Sequence, residues 1–254
     1  MSTRSVVIIS RAILTIVCLV ILPTACSPKQ GTKEISGATS ESFFAMEKQA
    51  QSFVQLGQYD KATDAYRSYE KAHGAQMDEK QSIGFFDGYA KTLILAHKLD
   101  EAQEKADEAL KLAQRKYGPD SASVQGALQT CFTVAEARSE REKSLQLLDK
   151  IVEVAEKSGN KYELMMALSQ WHSRISLSCG EVVDQKRLQN LSQLRKELVG
   201  PKDQLAFASQ LSAAKNLSNA KKFKESEQAY RELFKEAQTL KFTGETIPIA
   251  KARF

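Results

Sequence analysis

Small and apolar residues recur along the chain three and four positions apart, which is the spacing of one face of an α-helix. One such stripe is Tyr59, Ala62 and Tyr66, and similar stripes return at Leu99–Ala109 and Phe223–Leu233. Ala, Leu, Glu, Lys and Gln, which favour helices, dominate these segments. No stretch shows the sustained alternation of β-branched and polar residues that is typical of a strand. The pattern therefore predicts an all-α protein.

One short phrase returns at a regular interval. The phrase that begins at Gly57 is repeated from His97 and again from Lys221. The first interval is 97 − 57 = 40 residues and the second is 221 − 97 = 124 residues, close to three times 41. A period of this size is typical of helix pairs that stack side by side. We therefore predict a helical-pair repeat solenoid over residues 43–240, with about five antiparallel pairs.

Helix-breaking residues divide this region into segments of about 12 to 20 residues. Short connections between helices of that length place neighbouring helices antiparallel. The first helix of the first pair is predicted to bury the stripe Met46, Ala50 and Phe53. The predicted breaks lie at Gly57, His73-Gly74, His97-Lys98, Tyr117–Asp120, Ser158–Asn160, Cys179-Gly180 and Val199–Pro201.

The best copy of the repeat runs Ala50-x-x-Phe53-x-x-x-Gly57-x-Tyr59-x-x-Ala62-x-x-x-Tyr66. This pattern resembles the tetratricopeptide repeat (TPR) family, whose units are helix–turn–helix pairs. The long unit resembles the kinesin light chain type of that family. Extending the register by about 41 residues places a third unit near Leu128 to Ile151, with Ser144 and Leu148 on its second helix, and a fourth from about Ser169 to Leu198.

The TPR resemblance implies a protein that binds partners and carries out no catalysis. In that family the first helices of the pairs line a concave groove that holds a peptide or a partner helix. Lys91, Arg174 and Lys215 fall at matching places, and a row of cations there could hold an acidic segment or a terminal carboxylate. The groove-facing candidates are Glu47, Gln51, Asp87, Lys91, Gln129, Thr133, Gln170, Arg174, Leu211 and Lys215.

Two functions remain open from the sequence. The first is a scaffold for protein–protein interaction through the groove. The alternative is a binder of a cell-wall glycan, peptide or other small or polymeric ligand in the same groove. Exposed aromatic side chains would favour sugars, and apart from Phe44 at its edge the predicted groove has few of them. The partner is therefore expected to be a protein or peptide.

The start of the chain has the pattern of a secretory signal peptide. Arg4 and Arg11 precede an uninterrupted apolar run that ends at Leu22, and small residues follow. The run is shorter than the roughly 20 residues that a membrane-spanning helix needs. Residues 1–25 are therefore predicted to be a signal peptide, with an uncleaved anchor as the second reading.

The segment Leu22–Cys26 resembles the lipobox of bacterial lipoproteins, in which the cysteine is lipidated and becomes the new N-terminus. Thr24 and Ala25 fit that motif, whereas Pro23 stands where an aliphatic residue is usual. The resemblance implies export across the inner membrane and a lipid anchor at Cys26, in the periplasm or cell envelope; ordinary secretion is the alternative. Residues 26–42 contain no apolar period and are predicted to be a flexible tether.

Charge and composition exclude some classes of function. The whole chain has a formal net charge of +5, from 36 basic and 31 acidic residues. Loss of Arg4 and Arg11 would leave 34 − 31 = +3, with the charges interleaved as on solvated helix faces. A nucleic-acid-binding protein would need a clustered basic face. No nucleic-acid partner is expected.

No set of residues with catalytic or metal-binding spacing is present in the sequence. The three histidines, His73, His97 and His172, lack the spacing of a zinc site, and no glycine-rich phosphate loop occurs. We therefore predict that the chain is not an enzyme and needs no cofactor or metal. Cys131 and Cys179 are predicted to be two buried thiols without a disulfide, because their positions on adjacent first helices are out of step.

Two features near the end of the chain complete the predictions. Trp171 lies beside the groove positions and is predicted to pack between units. Residues 241–254 break the helical pattern and are predicted to be a C-terminal tail, either laid over the last unit or loose.

Overall fold

The computed structural model describes residues 37–175 and 183–240, with backbone only for residues 37–40. Throughout these ranges the secondary structure is helical, with no strand. Two short 3-10 turns, Gly74–Gln76 and Ala122–Val124, precede α3 and α5. The ten α-helices are α1 Gly37–Gln55, α2 Tyr59–His73, α3 Glu79–Leu95, α4 Leu99–Tyr117, α5 Gln125–Ala137, α6 Arg141–Ser158, α7 Lys161–Ile175, α8 Gln185–Leu198, α9 Gln204–Asn219 and α10 Phe223–Thr239.

The ten helices of the described residues form five consecutive pairs, from α1/α2 to α9/α10. We call the odd-numbered helix of each pair its first helix and the even-numbered helix its second. From α2 onward, each helix packs against the next one in the chain. The all-α helical-pair architecture predicted from the sequence is confirmed.

Four of the pairs share the same turn between their two helices. Its central residue, Gly57, His97, Ser139 or Lys221, has φ of 69°, 57°, 59° or 60°, in the left-handed region. We call these residues the turn residues. Each is followed by one residue and then by the second helix of its pair.

The turn satisfies the backbone groups that the end of the first helix leaves unpaired. In the first pair, the amide of Gln58 donates to the carbonyl of Phe53 at 2.8 Å, and the amide of Gly57 donates to the carbonyl of Val54 at 3.0 Å. These two bonds define the Schellman motif, which needs a left-handed residue at its centre. The same two bonds recur at the turns of the second, third and fifth pairs.

Small residues at one position of the second helices allow the two helices of a pair to approach closely. Ala62, Ala102 and Ser144 are fully buried, and Ser226 is nearly so. The Ser226 hydroxyl donates to the carbonyl of Ala214 on the first helix of its pair at 2.9 Å. The small residues of the predicted stripes are therefore buried, including the one assigned by register to the third unit, whereas Phe223 at the start of the last stripe is 65% exposed.

The fourth pair departs from the predicted register. Nine residues, 176–184, separate α7 from α8, whereas three separate the helices in the other pairs. The buried residues of α7 are Met165, Ala167, Leu168 and Trp171. Ser169, the predicted start of this unit, is half-buried in the middle of the helix. The extrapolated start therefore does not coincide with the start of a helix, since α7 begins at Lys161.

Neighbouring second helices are joined by charged side chains. Lys105 of α4 lies 2.5 Å from Glu70 of α2, and Lys196 of α8 lies 2.5 Å from Glu236 of α10. Most individual surface ion pairs contribute less than about 1 kcal/mol. Each of these two ion pairs connects one helix pair to the next.

Several predictions concern residues outside the described ranges. The signal peptide at 1–25, the lipidation at Cys26 and the tail at 241–254 remain predictions, and so does the absence of a bridge to Cys179. Helix α1 begins at Gly37, so its first residues fall within the 26–42 segment assigned to a tether.

Candidate functional site

The predicted groove residues occupy two repeated positions on the first helices. Counted back from the turn residues, Asp87, Gln129 and Leu211 lie ten residues before the turn, since 97 − 87, 139 − 129 and 221 − 211 all equal 10. Lys91 and Lys215 lie six residues before it by the same count. In α1 the two positions are occupied by Glu47 and Gln51, and in α5 the second position is occupied by Thr133. In α7 the sequence analysis assigned Gln170 and Arg174 to them.

Asp87 ties the first helices of the second and third pairs together. Its carboxylate accepts a hydrogen bond from the Thr130 hydroxyl of α5 at 2.6 Å. The other carboxylate oxygen lies 2.6 Å from the Lys91 ammonium of its own helix. Helices α3 and α5 therefore lie side by side, with a charged group between them.

Two further contacts continue this line of first helices. The guanidinium of Arg174 on α7 lies 3.1 Å from the carboxylate of Glu136 on α5. His172 of α7 and Ser212 of α9 share a hydrogen bond of 2.8 Å between Nε2 and Oγ. Burial lowers the pKa of His172, so the imidazole is held neutral near pH 7.

These contacts engage two members of the predicted row of cations, Lys91, Arg174 and Lys215. Lys91 and Arg174 each have a carboxylate partner within the protein. Lys215 is exposed on α9. A row in which two of the three cations are already neutralised is a weak attractant for an acidic segment, because a ligand carboxylate must compete with an internal one.

What remains at the groove positions is mainly neutral and polar. Gln51 is exposed, and Gln129 and Gln170 are half-buried. The Thr133 hydroxyl donates to the carbonyl of Gln129 within α5 at 2.8 Å. Leu211 packs against the small apolar cluster of the last pair. Gln51 lies on α1 at the other repeat position. We call Gln129 and Gln170, which are assigned to one repeat position on the neighbouring first helices α5 and α7, the amide row; each side-chain amide offers both a donor and an acceptor.

The sequence analysis missed the residues that join the first helices. Thr130 and Ser212 both lie nine residues before their turn residues, since 139 − 130 and 221 − 212 equal 9. Gly88 takes that position in α3. The recurrence of a small or hydroxyl-bearing residue at this repeat position can be detected in the sequence. Its partner cannot, because the partner lies on another helix pair, far away in the sequence.

The remaining reactive side chains are used within the fold. Cys131 is buried, and burial together with Asp107 raises the pKa of its thiol to about 12. Trp171 is buried, as predicted, and the guanidinium of Arg187 lies 5.4 Å from its ring centre. His73 ends α2 and His97 is a turn residue.

Residues 37–175 and 183–240 contain neither a cluster of metal-binding side chains nor a membrane-spanning helix. Over those residues, no group of three or more His, Cys, Asp and Glu side chains could hold a metal ion. Within the same residues, every helix is too short or too polar to cross a membrane.

The fold and the row of first helices define a TPR-like helical-repeat protein. No family model matches the sequence, and a search of curated proteins finds no match. Among solved structures, the chain is similar to the nearly identical TPR-like repeats of a kinesin light chain from Podosopora anserina. The TM-score is 0.59 and the identity is 13%, over 80% of this chain and 99% of that one. A singly substituted form of the same repeats gives a TM-score of 0.59 at 12% identity, covering 82% and 100% of the two chains.

The apo form of RapI is a further similar structure. It has a TM-score of 0.55 and 12% identity, over 79% of this chain and 72% of that chain. At such low identities the likeness concerns the fold, and the fold agrees with the TPR resemblance of the sequence. Two of these similar structures are kinesin light chain TPR-like repeats, the type that the sequence resembles.

Proposed function

We propose that this protein is a scaffold that binds an extended segment of a partner protein along its first helices. The observation that carries the proposal is the amide row, Gln129 and Gln170, on the first helices α5 and α7 that the Glu136–Arg174 contact joins. The TPR-like fold supports an interaction role, because helical solenoids present long continuous binding surfaces.

The spacing of the row suits an extended peptide. Helices in direct contact lie about 8–10 Å apart. An extended chain advances about 3.3 Å per residue, so three residues span about 10 Å. The amides of Gln129 and Gln170, on the neighbouring first helices α5 and α7, would thus meet peptide residues about three apart, and each could bond one backbone N–H and one C=O. Recognition of this kind depends on the peptide backbone of the partner more than on the charge of its side chains.

A library of random 12-residue peptides displayed on phage provides the test. Selected peptides would be titrated calorimetrically against the wild-type chain and against Gln129→Ala and Gln170→Ala. The matched control is Glu104→Ala, an exposed position on the second helix α4. We expect each groove variant to weaken binding by about tenfold, equivalent to one or two lost hydrogen bonds. Peptides that bind the groove variants and the control equally would refute the amide row as the site.

We further propose that the scaffold acts outside the cytoplasm, held by a lipid at Cys26. The basic start, the short apolar run and the lipobox-like Leu22–Cys26 support this location. The composition of residues 27–36 suits a spacer between the anchor and α1.

Intact mass of the protein from a membrane fraction tests this location, with Cys26→Ala alongside. A chain that starts at Cys26 and carries the added mass of lipid, lost in the variant, is the expected result. An unmodified chain in the soluble fraction would rule out the anchor and leave the peptide-binding proposal standing.

A further inference from the structure

The turn of the fifth pair carries a net positive charge, in contrast to the three other turns of the same kind. In the segments 52–62, 92–102 and 134–144, which are centred on the first three turn residues, basic minus acidic residues give 1 − 1 = 0, 1 − 2 = −1 and 3 − 3 = 0. Segment 216–226 gives 3 − 1 = +2, from Lys221, Lys222 and Lys224 against Glu225. The excess of cations is therefore specific to the last of these four turns.

Cations at the earlier turns are paired with acids of the preceding helix pair. Lys98, beside the turn of the second pair, lies 2.8 Å from Asp60 of the first pair. Arg138, beside the turn of the third pair, contacts Asp100 of the second pair. These cations are therefore already engaged within the fold and offer little charge to a ligand.

The cations of the last turn lack partners of this kind. Lys222 lies 3.6 Å from Glu225, and both side chains are more than half exposed. Lys221 and Lys224 are exposed, and neither forms an ion pair with a residue that the structure describes. Phe223 lies between these lysines in the sequence and is 65% exposed. We call Lys221, Lys222, Phe223 and Lys224 the basic turn.

Two of the lysines occupy positions that do not favour lysine. Lys221 has φ of 60°, a left-handed conformation that favours glycine. Lys224 is the second residue of α10, near the positive end of the helix dipole, where an acidic residue is favoured. The corresponding residues of α2, α4 and α6 are Asp60, Asp100 and Glu142. Residues that oppose the local preferences of the fold are expected at functional sites.

The aromatic ring of the basic turn contributes little to the core. Phe223 is 65% exposed, whereas Tyr59 and Leu99, at the same position of the first two pairs, are half-buried. An exposed ring between long cationic side chains suits the surface of a lipid bilayer. The ring enters the apolar boundary, while the flexible lysine side chains carry their ammonium groups to the lipid phosphates.

We propose that the basic turn is a contact site for a bilayer surface that carries anionic lipids. The lipid headgroups supply the negative charge that the described residues do not provide, and the apolar layer beneath them accepts Phe223. The proposal goes beyond the peptide-binding role and does not depend on it. With the proposed anchor at Cys26, the basic turn provides a second membrane contact that orients the solenoid.

An acidic segment of a protein is the competing partner, and it fits less well. Carboxylates are recognised most specifically by the planar fork of arginine, whereas all three cations of the basic turn are lysines. A hydrated acidic segment would also leave the ring of Phe223 in water. The composition and exposure of the basic turn therefore favour the bilayer.

Fluorescence of an introduced indole tests the proposal. The full-length Phe223→Trp variant is mixed with vesicles of brominated phosphatidylcholine, with or without an equal amount of brominated phosphatidylglycerol. The wild-type chain, whose Trp171 is 5% exposed, supplies the background. We expect quenching at least about threefold stronger with phosphatidylglycerol, and its loss in about 1 M salt. Equal quenching in the two kinds of vesicle, or none above the background, would overturn the proposal.

Charge variants in the Phe223→Trp background test the role of the lysines. At the lipid concentration of half-maximal quenching, Lys222→Gln with Lys224→Gln should reduce the quenching at least about fivefold. The matched control, Lys80→Gln with Lys111→Gln, removes the same charge from exposed positions of α3 and α4 and should change it by less than about twofold. Equal losses in the two variants would assign the attraction to overall charge and contradict the proposal.

Two more measurements separate binding from folding and one partner from the other. Lys221→Gly relieves the left-handed conformation and should raise Tm, yet it should weaken the quenching by about threefold; unchanged quenching would exclude Lys221 from the site. Polyglutamate is the probe for an acidic protein segment. If polyglutamate shifts the indole emission while acidic vesicles leave it unchanged, the basic turn binds an acidic protein segment and the bilayer proposal is wrong.

Discussion

The turn residues allow a test in which backbone conformation alone decides whether a Gly→Ala substitution stabilises or destabilises the protein. Gly57 is a turn residue with φ of 69°, and Gly84 lies within the helix α3. A Cβ added at either glycine meets no atom within 4 Å. Both sites are exposed, so the same Gly→Ala change has no packing consequence at either.

The expected effects have opposite signs. An L-residue in the left-handed region is less stable by about 1–2 kcal/mol, while replacing glycine restricts the unfolded chain and returns about 0.5–1 kcal/mol. Gly57→Ala should therefore destabilise the protein by about 0.5–1 kcal/mol. Gly84→Ala should stabilise it by about 1 kcal/mol, because alanine favours a helix interior over glycine by that amount.

The reverse change is available at a matched position. Lys221 has φ of 60° and is exposed. Lys221→Gly removes the left-handed strain and should stabilise the protein by about 0.5–1 kcal/mol. Ser139→Gly, also exposed with φ of 59°, provides an independent repeat of the measurement.

Urea and thermal unfolding of the full-length variants provide the assay. A change of 1 kcal/mol corresponds to a shift in Tm of about 2–4 °C for a domain of this size. We expect Gly57→Ala to lower the midpoint and the other three variants to raise it. If Gly57→Ala and Gly84→Ala shift the midpoint in the same direction, the left-handed turn is not the common device of these pairs.

Three other expectations follow from buried contacts. Gly88→Ala should destabilise the protein by more than about 1 kcal/mol through overpacking, since its Cβ would lie 2.7 Å from the Tyr66 hydroxyl; adding Tyr66→Phe should restore the midpoint, and a lack of rescue would contradict the clash. The Arg195 guanidinium lies 2.5 Å from Asp203 and holds the pKa of Asp203 below its usual value. The ion pair therefore stabilises the fold above about pH 4, and this stabilisation is lost as the pH falls through the pKa of Asp203 in the folded protein. Asp203→Asn should therefore lower the free energy of unfolding by about 2 kcal/mol at pH 7 and weaken its dependence on pH below about pH 4. An unchanged dependence on acid pH would contradict the role of the Arg195–Asp203 ion pair. The Cys131 thiol, with its pKa raised to about 12, should resist iodoacetamide at pH 8 until urea unfolds the chain, as judged by the mass difference from Cys131→Ala.

The periodicity of the sequence was sufficient to predict the class of fold. Buried small residues such as Ala62 and Ala102 recur with the helical spacing, and glycines such as Gly57 and Gly159 mark helix ends. These signals are local: a helix face is set within seven residues, and a left-handed turn is set by the residue that adopts it. Ser139 and Lys221 adopt the same turn without glycine, and neither the break at 138–140 nor the one at 220–222 was among those predicted.

The tertiary structure decided how the candidate site is used. Lys91 and Arg174 read from the sequence as free cations, yet their partners Asp87 and Glu136 neutralise them in the fold. The bond between Asp87 and Thr130 joins residues 43 positions apart. The sequence alone determined the all-α class and the repeat interval, because both follow from spacings along one helix. Only packing between pairs determined which polar groups stay available to a partner, because each of those contacts joins helices that the local pattern treats separately.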